Sequence, residues 1–464
     1  MSGIGGASAG YFLSKEIPDA AITIFEMGDV GGRLATVEVD GRRYESGGAI
    51  IHVANRYMVE YLDICGLRKK ETPADETFTL HKDGHVVFQE WGYSLLDKAR
   101  MAWKYGVRQL LKLENFYTNI LTNFVTIYDK LENGVAFSSV EELLTGMDPV
   151  SSKGKRSGEM MDLTTVSLKD KLSSLDLDSL LVEELVAVAT KFNYGQLPQE
   201  VHAFVGAVGL IGFDKKLWAV EGGNMRVVQC ALEMSQAKLV RGEVKQVVAS
   251  DGSYLLEYST DMSDSVTEQF DMVVMATPLT SDKTRISVLP TSQMFPGSYH
   301  ACVATIVRGD LIPQAVGYKD NSSSTPNNFY LSPTSPMWSV EKLSPVDYNR
   351  NTDNHLPPVF KLFSSRPLTS TELSTMFSTI HSVSVTDWLA YPSYSTLNDF
   401  SSFQLSPGLY YTSRIEWAAS AMEMSVIAAR NVANLAVKYW DREEEQDGEV
   451  EQEGKENVKE RTEL

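Results

Sequence analysis

The chain has 464 residues, 43% of them hydrophobic and 10% aromatic, enough for two or three domains' worth of core. Its net charge is −19, and residues 441–464, with eleven acids against four bases, supply −7 of it. That balance argues against nucleic acid as a partner. No apolar run reaches about eighteen residues, so no transmembrane helix is expected, and Met1 opens no signal-peptide pattern.

The chain begins Met1-Ser2-Gly3-Ile4-Gly5-Gly6. These glycines predict a sharp turn running into a small-residue helix over residues 7–13. Residues 22–25 form a short apolar strand that ends in Glu26, about twenty residues past the turn. Gly31-Gly32-Arg33-Leu34-Ala35-Thr36 follows at once. This is the order in which a flavin-binding βαβ unit meets FAD. In such a unit the amides of Gly3, Gly5 and Gly6 and the helix N-terminus face the diphosphate, and the acid, Glu26, takes the ribose. Gly31 and Gly32 bring further amides, and Arg33 a fixed charge. Met1 stands where the first glycine belongs, and the preceding strand is absent. The expectation is an incomplete or alternative-start sequence, with impaired FAD binding as the alternative reading.

A strand pair is predicted over 77–80 and 85–89 around Lys82-Asp83-Gly84. Residues 95–131 are helical, with Trp103, Val107, Leu110, Leu113, Tyr117, Ile120, Phe124, Ile127 and Leu131 stepping by three or four, and Gly106 as a potential break. This face packs as core, lines an apolar channel, or rests on a membrane surface. A polar loop over 151–158 leads to helices over 168–192. Leu217-Trp218-Ala219-Val220-Glu221-Gly222-Gly223-Asn224 precedes a helix over 225–236. Paired strands follow over 238–248 and 254–258. The run 270–276 reads as a parallel strand buried on both faces. Residues 295–400 read as short strands among Pro and Ser loops. The chain closes with a strand at 408–411, a helix through 439 and a tail, 441–464, that is disordered or a frayed helix. Cys65, Cys230 and Cys302 fit no zinc or C-x-x-C pattern, which leaves buried thiols or at most one disulfide and no metal site. Asn321-Ser322-Ser323 is a glycosylation sequon.

The fold class expected is α/β. A discontinuous Rossmann-like FAD domain (1–70, 205–290 and 405–440) carries an inserted α+β substrate domain (71–204 and 291–404).

Several segments together resemble the prenylcysteine oxidase family, a branch of the amine-oxidase-like flavoproteins. They include residues 30–36 and 44–52, Phe192-Asn193-Tyr194-Gly195-Gln196, Phe204-Val205-Gly206-Ala207-Val208 and residues 217–224. Ala276-Thr277-Pro278-Leu279, Trp388-Leu389-Ala390-Tyr391-Pro392 and residues 416–423 complete the match. The resemblance implies FAD-dependent cleavage of farnesyl- or geranylgeranyl-cysteine with O2 to cysteine, a prenyl aldehyde and hydrogen peroxide. It implies a lysosomal or secretory setting. By analogy Gly47, Gly48 and His52 run beside the flavin ring, with His52 the candidate catalytic group. Val247, within 244–248, lies against the adenine. Glu416 and Ala419 bring a helix terminus to the cofactor, and the helices over 103–128 wall an apolar tunnel. An amine-oxidising flavoenzyme and a non-catalytic prenyl-lipid carrier are the alternative readings.

Overall fold

A computed structural model describes residues 2–73, 77–82, 85–150, 157–214, 216–280, 287–289, 297–318, 327–332, 335–353, 355–395 and 402–462. Helix α1, Ile4–Glu16, springs directly from the glycine turn. Its small residues set how closely it packs. A Cβ at Gly10 would sit 3.0 Å from Ile24, in strand β1 (Thr23–Glu26), and one at Gly5 would sit 3.6 Å from Ser425. Ser425 lies in the C-terminal helix, Met422–Thr462, whose Val426, Ile427, Ala428, Ala429 and Val432 have no exposed surface. That helix and the helix Met225–Ser235 both pack on α1, burying the apolar area that holds the layer together.

β1 runs parallel to the start of the strand Lys238–Ser250, with Glu26 opposite Arg241. The partner strand then leads into an antiparallel meander through Ser253–Thr260 and Ser263–Phe270. The strand Val273–Met275 pairs in parallel with Leu409–Tyr411. The apolar run 270–276 is therefore not one strand. Phe270 closes the meander opposite Tyr254, Asp271 turns in solvent, and only three residues join the parallel pair, with Val274 half-buried.

The other large sheet contains seven strands among the described residues. In order they are Phe377–Pro392, Tyr299–Leu311, Val359–Ser364, Met337–Lys342, Asn328–Tyr330, Phe78–Lys82 and His85–Gln89. Two of these are 16 and 13 residues long, against the short strands expected of 295–400. The longest is an edge strand whose residues 378–385 are mostly exposed, so its Ser and Thr carry no hydrophobic alternation to read.

Helix α2, Arg56–Ile64, is tied through a Cys65–Cys230 disulfide to the Met225–Ser235 helix, and Cys302 is a buried thiol. Helices α3 (Ser94–Tyr105) and α4 (Val107–Phe124) meet at Gly106, whose φ of +81° ends the first helix. That break shifts the helical phase. Leu113, Phe116, Tyr117, Ile120 and Phe124 are buried, whereas Trp103 and Val107, expected on the same stripe, face solvent at 90% and 60% exposure. Backbone helix continues to Thr462 through the acidic tail. Asp83, Gly84, most of the 151–158 loop and the sequon at Asn321 lie outside the described residues. Among the described residues no helix is long and apolar enough to cross a membrane.

Candidate functional site

The two glycine segments lie backbone against backbone. Gly3 bridges Gly31, the Gly31 amide donates to the Ser2 carbonyl at 3.0 Å, and a Cβ on Gly32 would stand 3.2 Å from the Gly3 Cα. Gly31 and Gly32 have φ of +124° and +58°, conformations only glycine adopts freely. Gly3 occupies the N-cap of α1 with no side chain to bond the first-turn amides, and Gly3, Gly5, Gly6 and Gly32 all keep exposed surface. The Gly5–Ser425 approach brings the start of the C-terminal helix beside the start of α1. Two helix N-termini thus converge on one open patch of backbone amides, an arrangement that suits a diphosphate.

Glu26 holds this patch together. Its carboxylate accepts the Ser2 amide at 2.6 Å, the Ser2 hydroxyl at 3.0 Å and the Gly28 amide at 2.9 Å. A carboxylate has about four acceptor positions, so room for a ribose hydroxyl remains.

A second cluster centres on Glu416, which is 2% exposed. Arg33 donates to it at 2.6 Å and also to the Ala390 carbonyl and the Ser420 hydroxyl. The Tyr299 hydroxyl donates to the other Glu416 oxygen at 3.1 Å. Tyr394 donates to the Glu416 carbonyl at 3.2 Å and accepts the Ser420 amide at 2.8 Å. Gln196 reaches across to the Pro392 carbonyl and accepts the Tyr394 amide at 2.8 Å. Burial, then Glu416, pushes the Tyr299 phenol far up; burial, then Tyr194, does the same for Tyr394. Both remain neutral donors. His202 takes the Val205 amide on Nδ1, which leaves Nε2–H to donate to the Trp417 carbonyl at 3.0 Å. Burial lowers its pKa to about 4, so the ring is neutral. The Trp417 indole N–H is buried without a hydrogen-bond partner among the described residues.

The segment 45–48 locks these parts together. The Gly48 amide donates to the Arg33 carbonyl at 3.0 Å, and a Cβ on Gly47 would run into that same carbonyl. Asn224 donates its side-chain amide to the Gly48 carbonyl at 2.9 Å and its backbone N–H to Glu45 at 2.7 Å. The second Glu45 oxygen is buried and unpartnered among the described residues, and burial raises this carboxyl's pKa. These features fit a flavin dinucleotide: open amides for the diphosphate, an acid for the ribose, and orphaned buried polar atoms beside them.

The structure therefore gathers Gly3, Gly5, Gly6, Glu26, Gly31 and Gly32 into one patch, and Arg33, Gly47, Gly48 and Glu416 into a network continuous with it. Arg33 is spent on Glu416 rather than presented as a bare charge. Three expected site residues stand apart. His52 lies in a short strand, and its Nδ1 accepts the Ala54 amide at 3.1 Å, so the ring holds the turn into α2. Ala419 is fully buried and spends its amide on the Ile415 carbonyl. Val247 is sealed in a separate apolar cluster with Tyr254, Leu256, Met275, Leu409 and Tyr411. It lies six residues beyond Arg241, the partner of Glu26, or roughly 20 Å along the strand. The network's Tyr299, Tyr394, Ser420, Gln196 and His202 were not among the expected site residues. Gln196 and Ser420 do belong to the motifs that carried the resemblance.

Comparison with known proteins adds the following. The prenylcysteine lyase family profile matches residues 88–449, and a profile for the NAD(P)-binding Rossmann-like domain matches residues 2–64. Prenylcysteine oxidase 1 of Bos taurus is 32% identical over 461 residues, covering 95% of this chain and 87% of its own. Prenylcysteine oxidase 1-like of Mus musculus is 30% identical, covering 95% of this chain and 89% of its own. Among solved structures, a putrescine oxidase variant superposes with a TM-score of 0.61 at 13% identity, covering 94% of this chain and 97% of its own. Cyclohexylamine oxidase from Brevibacterium oxydans superposes with 0.60 at 14%, covering 95% and 98%. At such identities the structural likeness speaks for the fold alone: α/β, Rossmann-like at the nucleotide end, with amine-oxidase architecture.

Proposed function

This chain belongs to the prenylcysteine lyase family and is an oxidoreductase, and on that premise we propose that it binds FAD and oxidatively cleaves the thioether of farnesyl- or geranylgeranyl-cysteine. The net change is thioether plus O2 plus water to prenyl aldehyde, cysteine and hydrogen peroxide. One carbon–sulfur bond breaks, the carbon is oxidised by two electrons, and O2 takes them up. A bound flavin supplies the two-electron acceptor. Sulfur and the allylic double bond both stabilise positive charge on the carbon being oxidised, so no nucleophilic side chain is required.

What the chain supplies is binding and placement. The amides at Gly3–Gly6 and Gly31–Gly32 would hold the diphosphate, and Glu26 the ribose. Arg33 and Glu416 neutralise each other within hydrogen-bond reach of three segments, which fixes the relative position of those segments. Tyr299 and Tyr394, held as neutral phenols, keep Glu416 in place without adding charge. The observation that carries the reading is this convergence: the family's narrow motifs at 388–392 and 416–423 meet at the arginine of the second glycine pair, and Gln196 joins them through Pro392 and Tyr394. A lysosomal or secretory location is part of the proposal, supported by the Cys65–Cys230 disulfide, which suits an oxidising compartment.

The test is product analysis with farnesylcysteine under air. Equal yields of farnesal, cysteine and peroxide, with no peroxide from putrescine, are expected. Peroxide from amines alone would assign the amine-oxidising chemistry instead. A chain that binds farnesylcysteine but makes no product would be a carrier.

A further inference from the structure

Helix α3 turns its apolar side the wrong way for a soluble protein. Its buried side holds Asp97 and Tyr105. Its outward side presents Leu95 at 81% exposure, Leu96 at 53% and Trp103 at 90%, with exposed Ala99 between them. On a helix, positions 95, 96, 99 and 103 share one face. The surface continues at both ends of α3, through exposed Trp91 and Tyr93 before it and Val107 and Leu111 after Gly106. Scattered exposed hydrophobes need no explanation, but a contiguous aromatic and leucine face does.

Charge identifies what covers it. The chain carries −19, yet residues 91–112 hold five bases (Lys98, Arg100, Lys104, Arg108, Lys112) against one acid, Asp97, a local excess of four positive charges. Asp97 is buried and accepts the Trp91 amide. Arg100 stacks 3.6 Å above the Trp91 ring, which holds that ring at the surface. Lys104 and Lys112 pair with Glu184 and Asp176. Lys98 and Arg108, both exposed, form no ion pair or side-chain hydrogen bond among the described residues and flank the apolar face. Tryptophan, tyrosine and leucine on one side with unpaired bases at the margin is the composition of a helix lying in a lipid interface. Pairing two copies through this face would set the same basic margin, Lys98 and Arg108, against itself, so charge favours an acidic surface over a second copy.

We propose that the α3–α4 face, centred on Leu95, Leu96 and Trp103 and flanked by Lys98 and Arg108, docks this protein onto an anionic lipid bilayer. Binding there needs neither cofactor nor turnover, so it stands or falls apart from the reaction assigned above. It also fits that reaction, because a fifteen- or twenty-carbon prenyl chain partitions into lipid.

The experiment is flotation of the full chain with phosphatidylcholine vesicles, with and without about one-third phosphatidylserine. The expected result is binding that requires phosphatidylserine and falls as salt is raised. The variant Leu95→Ser/Leu96→Ser/Trp103→Ser should bind at least about ten-fold more weakly while keeping its circular dichroism and unfolding midpoint. Lys98→Glu/Arg108→Glu should lose the phosphatidylserine preference. Three results would overturn the proposal: no wild-type binding to either vesicle, wild-type binding by the folded triple variant, or a concentration-dependent dimer that the triple variant abolishes.

Discussion

Glu423 offers a sharp test of how the C-terminal helix organises the molecule. It lies in the first turn of that helix, 2% exposed, and accepts the Tyr57 and Met58 amides at 2.8 and 3.1 Å. Both amides belong to the first turn of α2, where Asn55 makes no side-chain cap bond. The carboxyl is thus the N-terminal cap of a helix more than 350 residues away in sequence. Burial pushes its pKa from 4.5 up to about 7, against the hydrogen bonds from Tyr128, Tyr57 and Met58 that pull it down. The folded state therefore keeps a proton that the unfolded chain gives up near 4.5. The contribution to stability is full below that value, declines as pH rises, and is lost above about 7. At roughly 1.4 kcal/mol per decade of proton affinity, the window amounts to about 3 kcal/mol. Glu423→Gln keeps an acceptor and removes the titration. Urea unfolding of both proteins gives the difference in stability, wild type minus variant. It is expected to fall by about 3 kcal/mol between about pH 4 and about pH 8. A difference that stays flat, or that grows with pH, would refute the reasoning.

Gly47→Ala forces a Cβ into the Arg33 carbonyl, so an overpacking loss of about 1–3 kcal/mol and a lowered flavin content are expected from denaturation and absorbance. Arg33→Met leaves the buried Glu416 without its cation; about 3 kcal/mol of destabilisation at neutral pH is expected, with Arg33→Lys recovering part of it. Cys65→Ser opens a cross-link spanning 165 residues and is expected to cost about 2–4 kcal/mol, read as a lower urea midpoint that reductant no longer changes.

How far the sequence revealed the molecule depends on whether the signal was local. The glycine turn, α1, β1 and the second glycine pair are consecutive, and each has its own chemistry, so their meeting around Ser2, Glu26 and Gly31 was legible before any coordinates. Gly106 likewise announced the break between α3 and α4. What it concealed was the consequence, because a rotation at one positive-φ residue reverses the face on which Trp103 falls. The Glu416 network was not legible as a network. Tyr299, Tyr394 and Gln196 come to it from segments spread over nearly 200 residues of sequence, and no spacing rule links them. His52 and Val247 stand outside the patch for different reasons: the His52 Nδ1 holds a local turn, and Val247 lies six residues along the strand beyond the partner of Glu26.

The central claim is that one flavin dinucleotide is held where the glycine patch meets the Arg33–Glu416 network. The direct measurement is an absorbance titration of the flavin-loaded protein with farnesylcysteine under strict exclusion of air. One equivalent of substrate should bleach the visible flavin band, and readmitted O2 should restore it, with Glu26→Gln showing weakened flavin retention. A protein that stays yellow and unreduced through excess farnesylcysteine, or that retains flavin equally without Glu26, would contradict the account.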